Sequence, residues 1–238
     1  MRQTILSTCA VMGVLVFCLV ETNHVAAGGI TIDATVGGTP LGGTLANFND
    51  LTLGNSGGTS GGITVSFTGD GQAVQGSVSG LYAAPYLSNN NGIPFGDNNN
   101  GPDGTTYLTT GMGSVVLALP GEEHYLGLLW GSVDTYNTLS LYDGSNLVGT
   151  ITGADVTANA NGDQSATGTY YVNILSTVSF DKIVASSTNY AFEFDNVAYA
   201  AAVPEPSSVV LGVIGCLGVF ACKLAERRLN VSAQKRAG

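Results

Sequence analysis

Hydrophobic and polar positions follow three different rules along the chain. Thr4 to Val20 is a nearly continuous apolar run. Between Gly28 and Ala202 short apolar stretches alternate with turn clusters, and Val209 to Cys222 is apolar without a break. In the middle region the stretches ITIDATV, ITVSFTG, TYLTTG, SVVLALP, HYLGLLWG, NTLSLYDG, NLVGTITG, TYYVNIL, SFDKIVAS and YAFEFDNVAYA read as strands bounded by turn residues. Strands at such spacing predict an all-β fold, an antiparallel β-sandwich or jelly-roll-like single domain over residues 28–202. In the last stretch the two-residue rhythm places Phe192 and Phe194 on one face and Glu193 and Asp195 on the other. Asp143-Gly144 predicts a hairpin turn, and Leu126, Leu128 and Trp130 are expected core. Asn89 to Gly104, rich in Asn and Gly, reads as a long loop too polar for the core.

The two terminal runs read as targeting elements rather than as parts of the fold. Arg2, the apolar run, a polar ETNH and small residues at Val25 and Ala27 follow the plan of a secretory signal peptide. Cleavage is expected between Ala27 and Gly28, after passage through the Sec translocon. Phe17 before Cys18 argues against a lipidation site. The C-terminal run alone makes about 21 Å of helix, short of the roughly 30 Å bilayer core. It reaches spanning length at about 207–225 if Ser207, Ser208, Leu224 and Ala225 are included and Lys223 snorkels. The basic residues Lys223, Arg227 and Arg228, followed by a tail at 229–238, predict a cytoplasmic end. Pro204 and Pro206 hold Val203 to Pro206 extended, so the helix starts after them.

Charge narrows the partners. Residues 28–203 hold 14 Asp and Glu against the single Lys182, a formal charge of −13. Such a surface repels phosphate backbones, so nucleic acid is not expected as a partner. Cys9, Cys18, Cys216 and Cys222 all lie in the terminal runs, which leaves the body without a thiol nucleophile or a thiolate metal site.

VPEPSS, an apolar helix and ERR, in that order near the C-terminus, resemble the PEP-CTERM sorting signal of Gram-negative bacteria, also catalogued as an ice-binding-protein C-terminal domain. The signal spans residues 203–228. The resemblance implies recognition by an exosortase, processing near Val203, Pro204, Glu205 and Pro206, and a single-pass inner-membrane precursor later delivered to the cell surface or extracellular matrix. Lys223 within the apolar-to-basic transition and the extra tail after Arg228 depart from the family's pattern. Tyr125 to Gly153 is similar to the signature of a group of exosortase-dependent surface proteins, to which no activity is assigned.

Candidate chemistry in the body is sparse. His124 is the single histidine after residue 27, and no GxSxG elbow is present, so a serine hydrolase lacks its parts. Nothing in the sequence pairs two acids for glycoside hydrolysis. Thr-x-Thr occurs in the middle of the chain only at 150–152 and 167–169, too sparse for an ice-binding ladder. No cofactor is expected, with one candidate exception, a structural calcium ion. Asp97, Asn99 and Asp103 have the oxygen chemistry of a calcium site but not the EF-hand spacing, and Asp195-Asn196 offers a similar pair; solvated turns are the competing reading of both. Tyr82, Tyr86, Tyr136, Tyr142, Tyr170 and Tyr171 are available to stack on a sugar, or to pack in the core. The sequence therefore predicts a non-catalytic exported protein with a structural or adhesive role. A secreted carbohydrate-binding, lectin-like module that contacts exopolysaccharide is the alternative.

Overall fold

The computed structural model describes residues 24–26, 29–97 and 99–202. The expected cleavage site Ala27 and Gly28, the motif Val203 to Pro206, the helix at 207–225 and the basic cluster Lys223, Arg227 and Arg228 lie outside the described residues. Among the described residues no helix is long and apolar enough to cross a membrane.

The body is all-β and antiparallel. Its strands in chain order are β1 (His24–Ala26), β2 (Ile30–Thr35), β3 (Thr44–Ala46), β4 (Gly58–Ser60), β5 (Ile63–Thr68), β6 (Gln72–Val74), β7 (Tyr86–Leu87) and β8 (Gly101–Pro102). They continue with β9 (Tyr107–Thr110), β10 (Ser114–Gly131), β11 (Asn137–Asp143), β12 (Asn146–Thr152), β13 (Tyr170–Ser187) and β14 (Phe192–Ala200). One helical turn, α1 (Gly153–Val156), follows β12. The main path of the large sheet runs β1-β2-β13-β10-β14-β9-β6, and β7 and β8 form a separate two-stranded pair.

Two strands of 18 residues each, β10 and β13, organise this sheet because each is long enough to serve two neighbours on its second edge. They pair with each other from Ser114↔Ser186 to Trp130↔Tyr170. On its other edge β10 takes β5 along Ser114–Ala118 and β14 along Tyr125–Gly131. In the same way β13 takes β2 along Tyr171–Ser176 and β11 along Lys182–Ser187. SVVLALP and HYLGLLWG, which the sequence presents as two strands, are thus one, and so are TYYVNIL and SFDKIVAS. Pro120 and Gly121 do not end β10; register shifts between Ala118 and Tyr125 absorb the extra residues as a bulge. The Asp143-Gly144 hairpin forms as expected, with Asp143 opposite Asn146 and Gly144 at φ 57°.

A single core cluster draws on nearly every strand of the large sheet. It includes Ile32, Phe48, Ile63, Leu117, Leu126, Leu128, Trp130, Leu139, Ile151, Ile174, Phe180, Phe192, Phe194, Val197 and Tyr199. Trp130 is fully buried and stacks on Phe192 at 4.4 Å between ring centres. Two smaller clusters, Leu87-Phe95-Leu129-Tyr171 and Val74-Ala84-Tyr107, lie under the segment 72–107. Within that segment Asn89 to Gly104 is not the fully solvated loop its composition suggests, since Asn91, Phe95, Asp97 and Asp103 are buried. Leu87 and Phe95 anchor it, Asn47 donates to the Phe95 carbonyl at 2.9 Å, and the Thr106 amide donates to Asn49 at 2.9 Å.

Candidate metal centre and adjoining cleft

β14 sets the geometry of both sites. Phe192 and Phe194 enter the core, but the next core residues are Val197 and Tyr199, so the alternation slips by one between them. The cause is a bulge: three steps on β14, Ala198 to Asp195, oppose two on β10, Gly127 to Leu129, and Asn196 takes the left-handed conformation at φ 52°. Asn is among the few residues that tolerate this region. The extra residue lets Asp195 and Asn196 both leave the core side and face the segment 72–107.

Asp97, Asp103 and Asp195 meet there, with one oxygen of each within 4.8 Å of the others and all three side chains buried. Asp97 follows a short 3-10 turn, Ile93–Phe95, and its amide donates to Gly92 O at 3.0 Å. A Cβ on Gly92 would stand 2.6 Å from that of Asp97, so the turn needs glycine at this close approach. Asp103 is held by its amide, which donates to Pro85 O at 2.8 Å, and its Oδ1 accepts from the Thr105 amide at 2.8 Å and hydroxyl at 2.6 Å. Asn196 Nδ2 donates to Asp97 Oδ2 at 3.1 Å.

The electrostatics of this cluster are unbalanced. Both oxygens of Asp195, Oδ2 of Asp103 and Oδ1 of Asn196 are buried without a hydrogen-bond partner. Burial, followed by the charge and proximity of Asp103, pushes the Asp195 carboxyl well above its ordinary range; the nearby backbone N–H of Asn196 pulls the other way. Asp97 is raised too, by burial first, with the Asn196 bond opposing and the Asp103 charge adding. Among the described residues Lys182 is the sole Lys or Arg, and it is engaged elsewhere. Its Nζ donates to Gly144 O at 2.6 Å and stands 4.8 Å from the centre of the Tyr142 ring.

On the same strand Glu193 marks the adjoining cleft, a cavity of about 440 Å³ whose lining includes Tyr82, Asp134, Tyr136, Gln164, Tyr190 and Glu193. Glu193 accepts from the Ala83 amide at 2.8 Å and from the Ser132 hydroxyl, so both its oxygens are occupied by structural donors. Burial pushes its carboxyl up to about 7, against the pull of those two donors. Tyr136 Oη lies within hydrogen-bonding distance of Asp134 Oδ2 and of Tyr190 O, at 2.5 and 2.9 Å. Asp134 is raised by burial, with the Tyr136 hydroxyl opposing. The cleft therefore offers tyrosine rings and satisfied carboxylates, a surface that can hydrogen-bond and stack on a polar ligand.

Of the metal candidates read from sequence, the fold brings Asp97, Asp103 and Asp195 together, while Asn99 is exposed. Of the tyrosines, Tyr82 and Tyr136 line the cleft, Tyr142 lies under Lys182, Tyr170 Oη bonds Thr157 and Tyr171 is buried with Oη donating to Asn196 O. His124 Nδ1 is 2.9 Å from Ser176 O. Glu193, Asp134 and Tyr190 carry no sequence motif; only the fold gathers them. Searched against known proteins, the chain matches no family model, no curated protein and no solved structure.

Proposed function

We propose that this is a non-catalytic exported protein, sorted by an exosortase through a PEP-CTERM signal to the cell surface or extracellular matrix. Its role there is structural or adhesive. The observation that carries the reading is the ordered run VPEPSS, apolar stretch and basic cluster over residues 203–228. Support comes from the body. Its last strand closes at Ala200, and Ala201 and Ala202 are exposed, so the chain leaves the sheet directly before the proline motif. We read the body as a jelly-roll-like sandwich, since strands as far apart in the large sheet as β2 and β6 contribute to one core cluster. Glu193 speaks for a non-catalytic cleft, since its two oxygens already serve the Ala83 amide and the Ser132 hydroxyl.

Mass spectrometry of the mature protein from its native host tests the sorting step. The expected C-terminus lies near Pro204 to Pro206, and Pro204→Ala with Pro206→Ala leaves an uncleaved precursor in the inner membrane. A surface protein still ending in Ala237-Gly238 would overturn the reading. A second reading, carbohydrate binding in the manner of a lectin, is favoured by the tyrosine-lined cleft, where ring faces suit a polyol.

A further inference from the structure

We propose that Asp97, Asp103 and Asp195, together with the side-chain oxygen of Asn196, bind one calcium ion that clamps the segment 72–107 onto β14. The inference is independent of the sorting reading, because it uses only residues of the body.

Three considerations carry it. The first is desolvation. A buried carboxylate without a counter-ion is strongly unfavourable, and here three converge with no cationic side chain among them. The second is the orphaned oxygens. Asp195 is fully buried with neither oxygen bonded, and Asn196 Oδ1, outside the acidic set, is also buried and unpartnered, on the same side-chain amide whose Nδ2 bonds Asp97. Amide oxygens do not neutralise acids, but they do complete a cation's shell. The third is geometry. Oxygens within 4.8 Å of one another fit around one centre at calcium's usual bond length of about 2.3–2.6 Å.

The donors select the ion. All are hard oxygens, and neither histidine nor cysteine is in the cluster, which disfavours zinc and copper. Magnesium keeps several waters and demands a regular octahedron, whereas calcium accepts an irregular, largely dehydrated shell of protein oxygens. Three ionised carboxylates around one divalent cation carry a single net negative charge. The ion would add to the hold that Leu87 and Phe95 already give on the polar stretch Asn89 to Gly104.

The test uses the full-length chain, purified in detergent, with calcium alone as the probe. Protein purified without chelator is expected to carry one calcium per chain by elemental analysis. After treatment with EGTA, added calcium is expected to raise Tm by about 5–10 °C. Asp195→Asn is expected to abolish that rise. In EGTA the same variant should be at least as stable as the parent, since it removes a carboxyl that is buried without a hydrogen-bond partner. Asn99→Ala is expected to bind calcium as the parent does. Should Asp195→Asn fail to fold, Asp97→Asn and the metal content of the parent carry the decision. No calcium in the purified chain together with equal Tm in EGTA and calcium would overturn the proposal, and an equal rise with magnesium would overturn the choice of ion.

Discussion

Asn196 Nδ2 donates to Asp97 Oδ2 at 3.1 Å, joining residues 99 positions apart. The bond ties the 72–107 segment to the strand that closes the fold, and it is available because Asn196 occupies the left-handed bulge position at φ 52°. Two substitutions separate backbone from side chain. In EGTA, Asn196→Gly relieves any strain and loses only the side-chain contacts, costing about 1 kcal/mol. Asn196→Ala loses the same contacts and adds about 1–2 kcal/mol of left-handed strain. Urea unfolding of both variants checks the order, and equal stability would mean that the bulge conformation imposes no requirement.

Trp130 is the single tryptophan of the chain, fully buried and stacked on Phe192, which leans on Phe194 at 5.4 Å. Trp130→Ala is expected to cost about 3–5 kcal/mol, followed by circular dichroism because the fluorophore is lost. Trp130→Phe keeps a ring against Phe192 and should cost less. In the parent the emission should be blue-shifted and move to the red on unfolding. Emission already typical of a solvated indole would contradict the packing.

The contrast between Trp130 and Asp195 shows what a single chain makes legible. HYLGLLWG announces its own burial, because apolar side chains are enough to place it in the core. The alternation in YAFEFDNVAYA announces a strand, and its slip between Phe194 and Val197, visible in the order of residues alone, is itself the mark of a bulge. The meeting of Asp97 and Asp103 with Asp195 has no such mark. Nothing local encodes a contact across some hundred residues, and a loop rich in Asn and Gly looks solvated until its anchors Leu87 and Phe95 are seen against Leu129 and Tyr171. Pro120-Gly121 misleads in the opposite sense, since a long strand can swallow a turn signal when its partner keeps register on both sides.

Asp70 joins two turns. Its carboxylate accepts from the Gly111 amide at 3.1 Å, the Met112 amide at 2.9 Å and the Thr110 hydroxyl at 3.2 Å. Burial works to raise its pKa, yet these donors and the Tyr190 hydroxyl prevail and hold it below its ordinary value of 3.8. A carboxylate whose folded pKa is depressed adds stability that is present above the unfolded value and lost as pH falls through the folded one. Asp70→Asn should therefore be less stable than the parent at neutral pH, and the gap should close as pH drops below 3.8. Comparing parent with variant cancels the opposite contribution of Asp97 and Asp195, whose raised values favour the folded state on acidification. A gap that stays constant from neutral pH down to about pH 3 would show that the charge of Asp70 contributes nothing.

The cleft provides the sharpest way to divide the two functional readings, because its walls come from separate elements. Tyr82 lies on the 72–107 segment, Tyr136 lies in the turn between β10 and β11, and Tyr190 precedes β14 with 43% of its surface exposed. If the body binds polysaccharide, pull-down with the full-length chain should show saturable micromolar binding. Tyr82→Ala should then weaken it about tenfold, the loss of some 1.4 kcal/mol of ring contact. Tyr142→Ala, on β11 and outside the cleft, should leave it unchanged. Removal of calcium should weaken binding as well, since it would release the segment that carries Tyr82 from β14. Sugar binding that survives Tyr82→Ala would move the site elsewhere, and no saturable binding to any polysaccharide would leave the structural role standing alone. Binding insensitive to EGTA, with Tyr82 required, would mean that the Ala83 amide bond to Glu193 and the packing of Tyr82 on Tyr107, 6.4 Å between ring centres, suffice to hold the wall in place.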